Sequence, residues 1–145
     1  MYLKSKKGAF LVSTAIMCFI YIVMGTPQML ITMIPAGIIG ELILSYSNGY
    51  YSIGKATLAW AIFSGIYGLH GAVMLWVFGR AYMEENFSTS FSPEAMAIIA
   101  SLYYNPMWII VIVVLGVVFG ALGCLFGYKL LKKRFIKSGA IKEVY

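Results

Sequence analysis

The sequence predicts an all-α integral membrane protein, and two observations lead to that prediction. Of the 145 residues, 61% are hydrophobic and only 11% are charged, with a mean hydropathy of +0.87. A soluble domain carries about 25% charged residues, so this chain has too little polar surface to cover a globule in water. The sequence also contains four apolar stretches that meet the requirement of roughly 17–25 residues for a membrane-spanning helix. It lacks the alternating strands of a membrane barrel, and helices satisfy their own backbone groups in lipid.

The four predicted spans form a single membrane domain, residues 1–145. Gly25-Thr26-Pro27 is a turn pattern between the first two spans, and Asn105-Pro106 begins the last one. The longest polar stretch, 80–105, contains Ser92-Pro93-Glu94, which is typical of a helix start with serine as the cap. The predicted spans are about 8–24, 27–46, 56–79 and 106–128.

The basic residues predict the orientation of these spans. Three lysines precede the first span, Lys55 lies between the second and third, and a basic tail, 129–145, follows the last. Because two crossings separate each of these flanks from the next, all three fall on one side, which the positive-inside rule makes cytoplasmic. The prediction is therefore a multi-pass protein of the cell (cytoplasmic) membrane with both termini inside and 80–105 outside. The basic tail is expected to lie on anionic lipid.

The third predicted span has three distinct faces on a helical wheel. Its small-residue face includes Gly65 and Gly68, which allow another helix backbone to approach closely. A semi-polar stripe includes Tyr67 and His70. These two side chains either border a substrate cavity or hydrogen-bond to neighbouring helices, since a buried polar group needs a partner.

Two charged residues near the ends of spans have both a structural and a functional interpretation. Arg80 is either an interfacial charge, with Glu84 four residues on as its ion-pair partner, or an anchor for an anionic ligand. Glu41 is the only acid within a predicted span and lies near its cytoplasmic end. It is expected to make inner-side contacts, although acids in membranes also carry protons.

The fourth predicted span contains a glycine ladder that runs toward its cytoplasmic end. The spacing of 4, 3 and 4 residues places the glycines on one face of a helix. Such a face predicts close helix packing rather than ligand chemistry. The ladder consists of Gly116, Gly120, Gly123 and Gly127.

The predicted ligand site lies in the outer half of the bundle, between the third and fourth spans and beneath the outer segment. The semi-polar stripe points inward there, and aromatic and amide side chains stand at the start of the fourth span. Small-molecule pockets combine such aromatic faces with a few polar groups. The candidate substrate-binding residues are Tyr67, His70, Arg80, Tyr103, Asn105 and Trp108.

Several classes of function have no support in the sequence. There is no nucleophile–base pair and no phosphate-binding loop, so an enzyme is not expected. Cys18 and Cys124 lie in apolar stretches without a Cys/His cluster, so neither a metal site nor a cofactor is expected. The net charge of +6 is clustered beside apolar helices and lacks a basic–aromatic surface module, which argues against nucleic-acid binding.

Three stretches of the chain carry a resemblance to a known family. Gly37–Leu44 is a glycine-rich helix that ends in an acid and a Leu-Ile-Leu run, and Arg80-Ala81-Tyr82 stands at the outer end of a span. The most specific stretch, Gly116–Phe135, joins the glycine ladder to Lys-Leu-Leu-Lys-Lys and is followed by Ser138-Gly139-Ala140. In these features the chain resembles the Trep_Strep family of predicted substrate-binding (S) components of energy-coupling factor (ECF) transporters.

The resemblance implies a function and a set of partners. An S component captures a micronutrient, here of unknown identity, on the outer side, and separate transmembrane coupling and ATPase subunits drive uptake. Family members have about six helices, and Lys4–Gly8 resembles their loop after the second helix. The chain is therefore expected to correspond to the last four helices of a six-helix S component, either as a fragment or as a reduced four-helix variant. The alternatives are an inactive fragment or membrane scaffold, and a proton-coupled small exporter that uses Glu41.

Overall fold

The structure, a computed structural model, describes residues 7–88 and 90–137, and this part of the chain contains helices and turns only. Lys4, Lys6 and the end of the predicted basic tail, 138–145, lie outside it. The helices are α1 (Ala9–Val23), α2 (Leu30–Ser45), α3 (Ile53–Gly68), α4 (His70–Val73), α5 (Gly79–Phe87), α6 (Pro93–Tyr104) and α7 (Pro106–Lys137). Short 3-10 turns at Pro27–Met29 and Tyr46–Tyr51 connect the first three helices.

Helix α3 is the centre of the bundle. It packs along α7 more extensively than any other pair of helices does, and its other side packs on α2, which in turn contacts α1. The aromatic part of this core is formed by Phe10 of α1, whose ring lies edge-on to Trp60 and Phe63 of α3 at centroid distances of 5.1 and 5.6 Å. Edge-to-face rings of this kind stabilise a core beyond the area they bury.

The segment predicted as the third span, 56–79, contains two interruptions. Leu69 separates α3 from the short helix α4, and a π-helical turn, Met74–Phe78, separates α4 from α5. Gly79 then adopts a φ of 82°, a left-handed conformation that only glycine reaches without steric cost. Residues beyond the π turn are therefore out of register with the wheel of a continuous helix.

Helix α6 folds back over the broken segment. It begins at Ser92, whose hydroxyl accepts a hydrogen bond from the backbone N–H of Ala95 at 3.3 Å, as the Ser-Pro-Glu pattern predicts. It contacts α4, α5 and α7, so that it closes one end of the bundle. Asn105 then turns the chain into α7: its side-chain oxygen accepts from the N–H of Met107 at 3.0 Å.

Within the described residues, three continuous helical segments are long and apolar enough to cross a membrane: Pro27–Ser45, Ile53–Phe87 and Pro106–Arg134. The most apolar window of the last has a mean hydropathy of 3.0 and no buried residue, a surface suited to lipid. Helix α1 is apolar but has only 15 residues, about 22 Å against a hydrocarbon core of roughly 30 Å. The helical part of the predicted fold class is confirmed, and the arrangement of four spans stays a prediction.

Candidate ligand-binding site

A cavity of about 430 Å³ lies under α6, at the closed end of the bundle. This volume is within the usual range for small-molecule sites. Met29 on its wall immediately precedes α2 and lies 12 residues before Glu41, which corresponds to about 18 Å of helix, so the cavity and Glu41 occupy opposite ends of α2. The cavity is lined by Met29, His70, Gly71, Met74, Met83, Phe87, Phe91, Ile99, Leu102, Tyr103 and Ile112.

His70 is held in a fixed orientation on the cavity wall. Its Nδ1 lies 2.8 Å from the carbonyl oxygen of Tyr67, and because a carbonyl only accepts, Nδ1 carries the proton. In the neutral ring Nε2 is then a hydrogen-bond acceptor. The imidazole stacks on the ring of Tyr67 at a centroid distance of 5.0 Å, and the Tyr67 hydroxyl lies 2.6 Å from that of Tyr21 on α1.

Tyr103, in the last turn of α6, is the second polar group of the cavity. Its ring lies against Gly71: a Cβ at position 71 would overlap Cζ of Tyr103 and lie 2.7 Å from its hydroxyl oxygen. Burial raises the pKa of Tyr103, so the phenol is neutral at physiological pH. Within the described part of the chain, its hydroxyl has no hydrogen-bond partner and is free to meet a ligand.

The structure brings two of the six candidate binding residues, His70 and Tyr103, into one cavity. Tyr67 lies behind His70 and holds it. Arg80 is exposed, and its Nε donates to the Glu84 carboxylate at 2.6 Å, which is the local ion pair named above. Asn105 caps α7, and Trp108 at 48% exposure does not line the cavity.

Met74 lies four residues after His70 and belongs to the same predicted semi-polar stripe, although it was not among the predicted ligand-binding residues. The other two methionines and Gly71 of the cavity wall were not predicted. Met29 and Met83 lie in other segments, and only the folded chain brings them to Met74.

At the opposite end of α2, Glu41 is 7% exposed and joins three parts of the chain. Its Oε1 accepts from the backbone N–H of Gly8, next to α1, at 2.8 Å and from the Ser45 hydroxyl at 2.5 Å. Its Oε2 accepts from the hydroxyl of Tyr50 in the following turn, and that hydroxyl accepts from the N–H of Phe10 at 3.0 Å. Burial and the hydrogen bond to Glu41 raise the pKa of Tyr50, so Tyr50 is a proton donor to this carboxylate.

The glycines expected to pack helices are found in two environments. Gly65, Gly68, Gly116 and Gly120 all lie in the contact between α3 and α7. A Cβ at position 116 would lie 2.8 Å from the carbonyl oxygen of Ser64, so the backbones of α7 and α3 are in direct contact there. Gly123 and Gly127 face open space in the described structure, with no atom within 4 Å of an added Cβ.

Comparison with known proteins gives one family. The family described as "Hypothetical bacterial integral membrane protein (Trep_Strep)" matches residues 3–137. No curated protein and no solved structure matches the chain. Together with the apolar helices, the family match shows an integral membrane protein.

Proposed function

The chain belongs to the Trep_Strep family of bacterial integral membrane proteins, and we propose that it is the substrate-binding (S) component of an ECF-type uptake transporter. Its partners are the transmembrane coupling subunit and the ATPase subunits of that transporter. The cavity under α6 is the observation that supports this role most directly, because a capture protein needs a site of ligand size. The resemblance of Gly37–Leu44, Arg80-Ala81-Tyr82 and Gly116–Phe135 to S components adds the transporter class.

In the proposed arrangement the chain crosses the cytoplasmic membrane four times with both termini inside. Lys55 and the basic residues of α7 then face the cytoplasm, as the positive-inside rule requires. The cavity faces outward, where a substrate arrives. Helix α1, at 15 residues, crosses with the help of its flanking turns or with local thinning of the bilayer.

This orientation predicts the accessibility of two positions. In a background with Cys18→Ala and Cys124→Ala, Ser90→Cys should react in intact cells with a membrane-impermeant maleimide, and Ser47→Cys should react only after the cells are opened. Ser47 lies in the turn after α2 and Ser90 in the connection between α5 and α6. Labelling of Ser47→Cys but not Ser90→Cys in intact cells would show that the orientation is the opposite of the proposed one.

Ligand capture in the cavity is tested on the protein purified from its native membrane in lipid nanodiscs. Denaturation and mass spectrometry should release a small solute from the wild-type chain. His70→Ala and Tyr103→Ala should lower its occupancy about 10-fold, the effect of one buried hydrogen bond and its packing. Arg80→Ala is the control and should keep full occupancy, because Arg80 is exposed and paired with Glu84.

Two outcomes would contradict this site. Wild-type occupancy in both His70→Ala and Tyr103→Ala would show that the ligand binds elsewhere in the chain. Release of a membrane lipid instead of a solute from all four proteins would argue against a capture protein altogether.

A further inference from the structure

We propose that the cavity under α6 takes an uncharged, mainly apolar small molecule that donates a hydrogen bond to Nε2 of His70. This inference rests on the proposed function and deepens it by naming the chemical class of the substrate.

The wall of the cavity excludes charged ligands. None of its eleven lining residues is an aspartate, glutamate, lysine or arginine. A charged group that enters such a site loses its hydration and finds no charged partner among the lining residues to compensate for that loss. An anionic or cationic substrate would therefore bind much more weakly than a neutral molecule of the same shape.

Arg80 does not supply the missing charge. Its side chain is 56% exposed, it does not line the cavity, and its guanidinium is already paired with Glu84. The π turn and the positive φ of Gly79 separate it from His70, so the two do not act on one ligand from a shared helical face. An anionic anchor, which the sequence left open, is not part of this site.

Two polar atoms set the hydrogen bonds that a ligand can make. With Nδ1 donating to the Tyr67 carbonyl, Nε2 is the ring nitrogen of His70 that can accept a hydrogen bond, and it thus selects a ligand N–H or O–H group. The Tyr103 hydroxyl, which has no partner among the described residues, can donate or accept. A ligand without a hydrogen-bond donor would leave Nε2 buried and unpaired. The site therefore favours a molecule that carries a polar group near one end.

The remaining wall suits an apolar body. Met29, Met74 and Met83 place thioethers around the cavity, and Phe87 and Phe91 add aromatic faces. Methionine is flexible and polarizable, so it adapts to rings and to aliphatic groups. At about 430 Å³ the cavity is near the lower end of small-molecule sites, which favours one compact solute over a whole lipid.

Three probes of equal shape test the charge preference: 2-naphthamide, 2-naphthoate and 2-naphthylmethylamine, which are neutral, anionic and cationic. Equilibrium dialysis against the full chain in phosphatidylcholine nanodiscs, with empty nanodiscs as background, gives their affinities. The amide should bind at least 10-fold more tightly than either ion. His70→Leu should weaken its binding about 10-fold, and Arg80→Ala should leave it unchanged.

A second variant separates the site from partition into lipid. Gly71→Ala places a methyl group where the end of the Tyr103 ring lies, so the ring must move within the cavity while the helices stay in place. It should weaken amide binding with little change in thermal stability. Equal amide binding in wild type, His70→Leu and Gly71→Ala would overturn the inference.

Tighter binding of naphthoate, lost in Arg80→Ala, would also overturn the neutral class. In that case the chain still captures a solute and the S-component proposal stands. That proposal fails on a different result, namely the absence of any released solute in the native preparation.

Discussion

Gly120→Leu is expected to separate α7 from α3 and to lower the free energy of unfolding by about 3 kcal/mol or more. A Cβ at position 120 would lie 2.5 Å from Oγ of Ser64 and 2.8 Å from the carbonyl oxygen of Trp60. The serine side chain can rotate, but the Trp60 carbonyl belongs to the backbone of α3 and cannot move without the helix. Close approach of small residues is the main source of helix association in lipid, so little else compensates for its loss.

Gly123→Leu is the matched control, since it makes the same substitution one turn further along α7, where an added Cβ meets no atom within 4 Å. Thermal unfolding in mild detergent, together with the yield of monodisperse protein, measures both variants. Gly120→Leu should unfold at a clearly lower temperature, and Gly123→Leu should resemble the wild type. Equal loss in both variants would show that α7 cannot accept leucine at any glycine, and the interface explanation would fail.

Glu41→Ala is expected to destabilise the fold by about 2–4 kcal/mol, because it removes the acceptor of three partly buried hydrogen bonds. The N–H of Gly8 and the Tyr50 hydroxyl both lose their partner, and they belong to different segments. Helix α1 would then lose its hydrogen-bonded connection to α2 at this end, while the packing of Phe10 against Gly40 remains. Chemical unfolding followed by tryptophan fluorescence gives the size of the effect.

Glu84→Ala provides the comparison, since this glutamate is exposed and its ion pair with Arg80 is worth at most about 1 kcal/mol. A loss of stability in Glu41→Ala no larger than in Glu84→Ala would contradict the structural role of Glu41.

Glu41→Gln distinguishes the S-component proposal from the proton-coupled exporter alternative. It keeps one acceptor oxygen and leaves the cavity, about 18 Å away along α2, untouched, so ligand binding should persist. A proton-coupled exporter would instead depend on this carboxylate. The chain alone would then carry out proton-driven efflux, and Glu41→Gln would abolish it. Observation of that efflux would replace the S-component proposal.

The helical membrane character could be predicted because it depends on composition and on the length of apolar runs, which need no knowledge of contacts. The partners Gly65 and Gly116 could be predicted as packing residues for a similar reason: small side chains on one helical face have few other uses in lipid. Gly123 and Gly127 follow the same pattern yet face open space. The pattern shows that a face is small, but the sequence does not show where the neighbouring helix ends.

The interruptions of the third predicted span could not be predicted, and they explain the position of Arg80. The run from Met74 to Phe78 is apolar and contains no proline, so its sequence predicts an uninterrupted α-helix, although the run forms a π turn. Gly79 could equally be a small packing residue or a residue with positive φ, and nothing nearby distinguishes the two. Arg80, which follows both interruptions, is exposed and paired with Glu84 and does not line the cavity with His70.

The hydroxyl pair of Tyr21 and Tyr67 gives α1 a thermodynamic connection to the cavity. His70 stacks on Tyr67, so a ligand that shifts the imidazole must either move the phenol that α1 holds or break the stack. Linkage is reciprocal: if occupancy changes the position of α1, any contact that displaces α1 changes ligand affinity by the same factor. A protein that docks on α1 at the end of the bundle opposite the cavity would thus lower ligand affinity and trigger release without contacting the bound molecule.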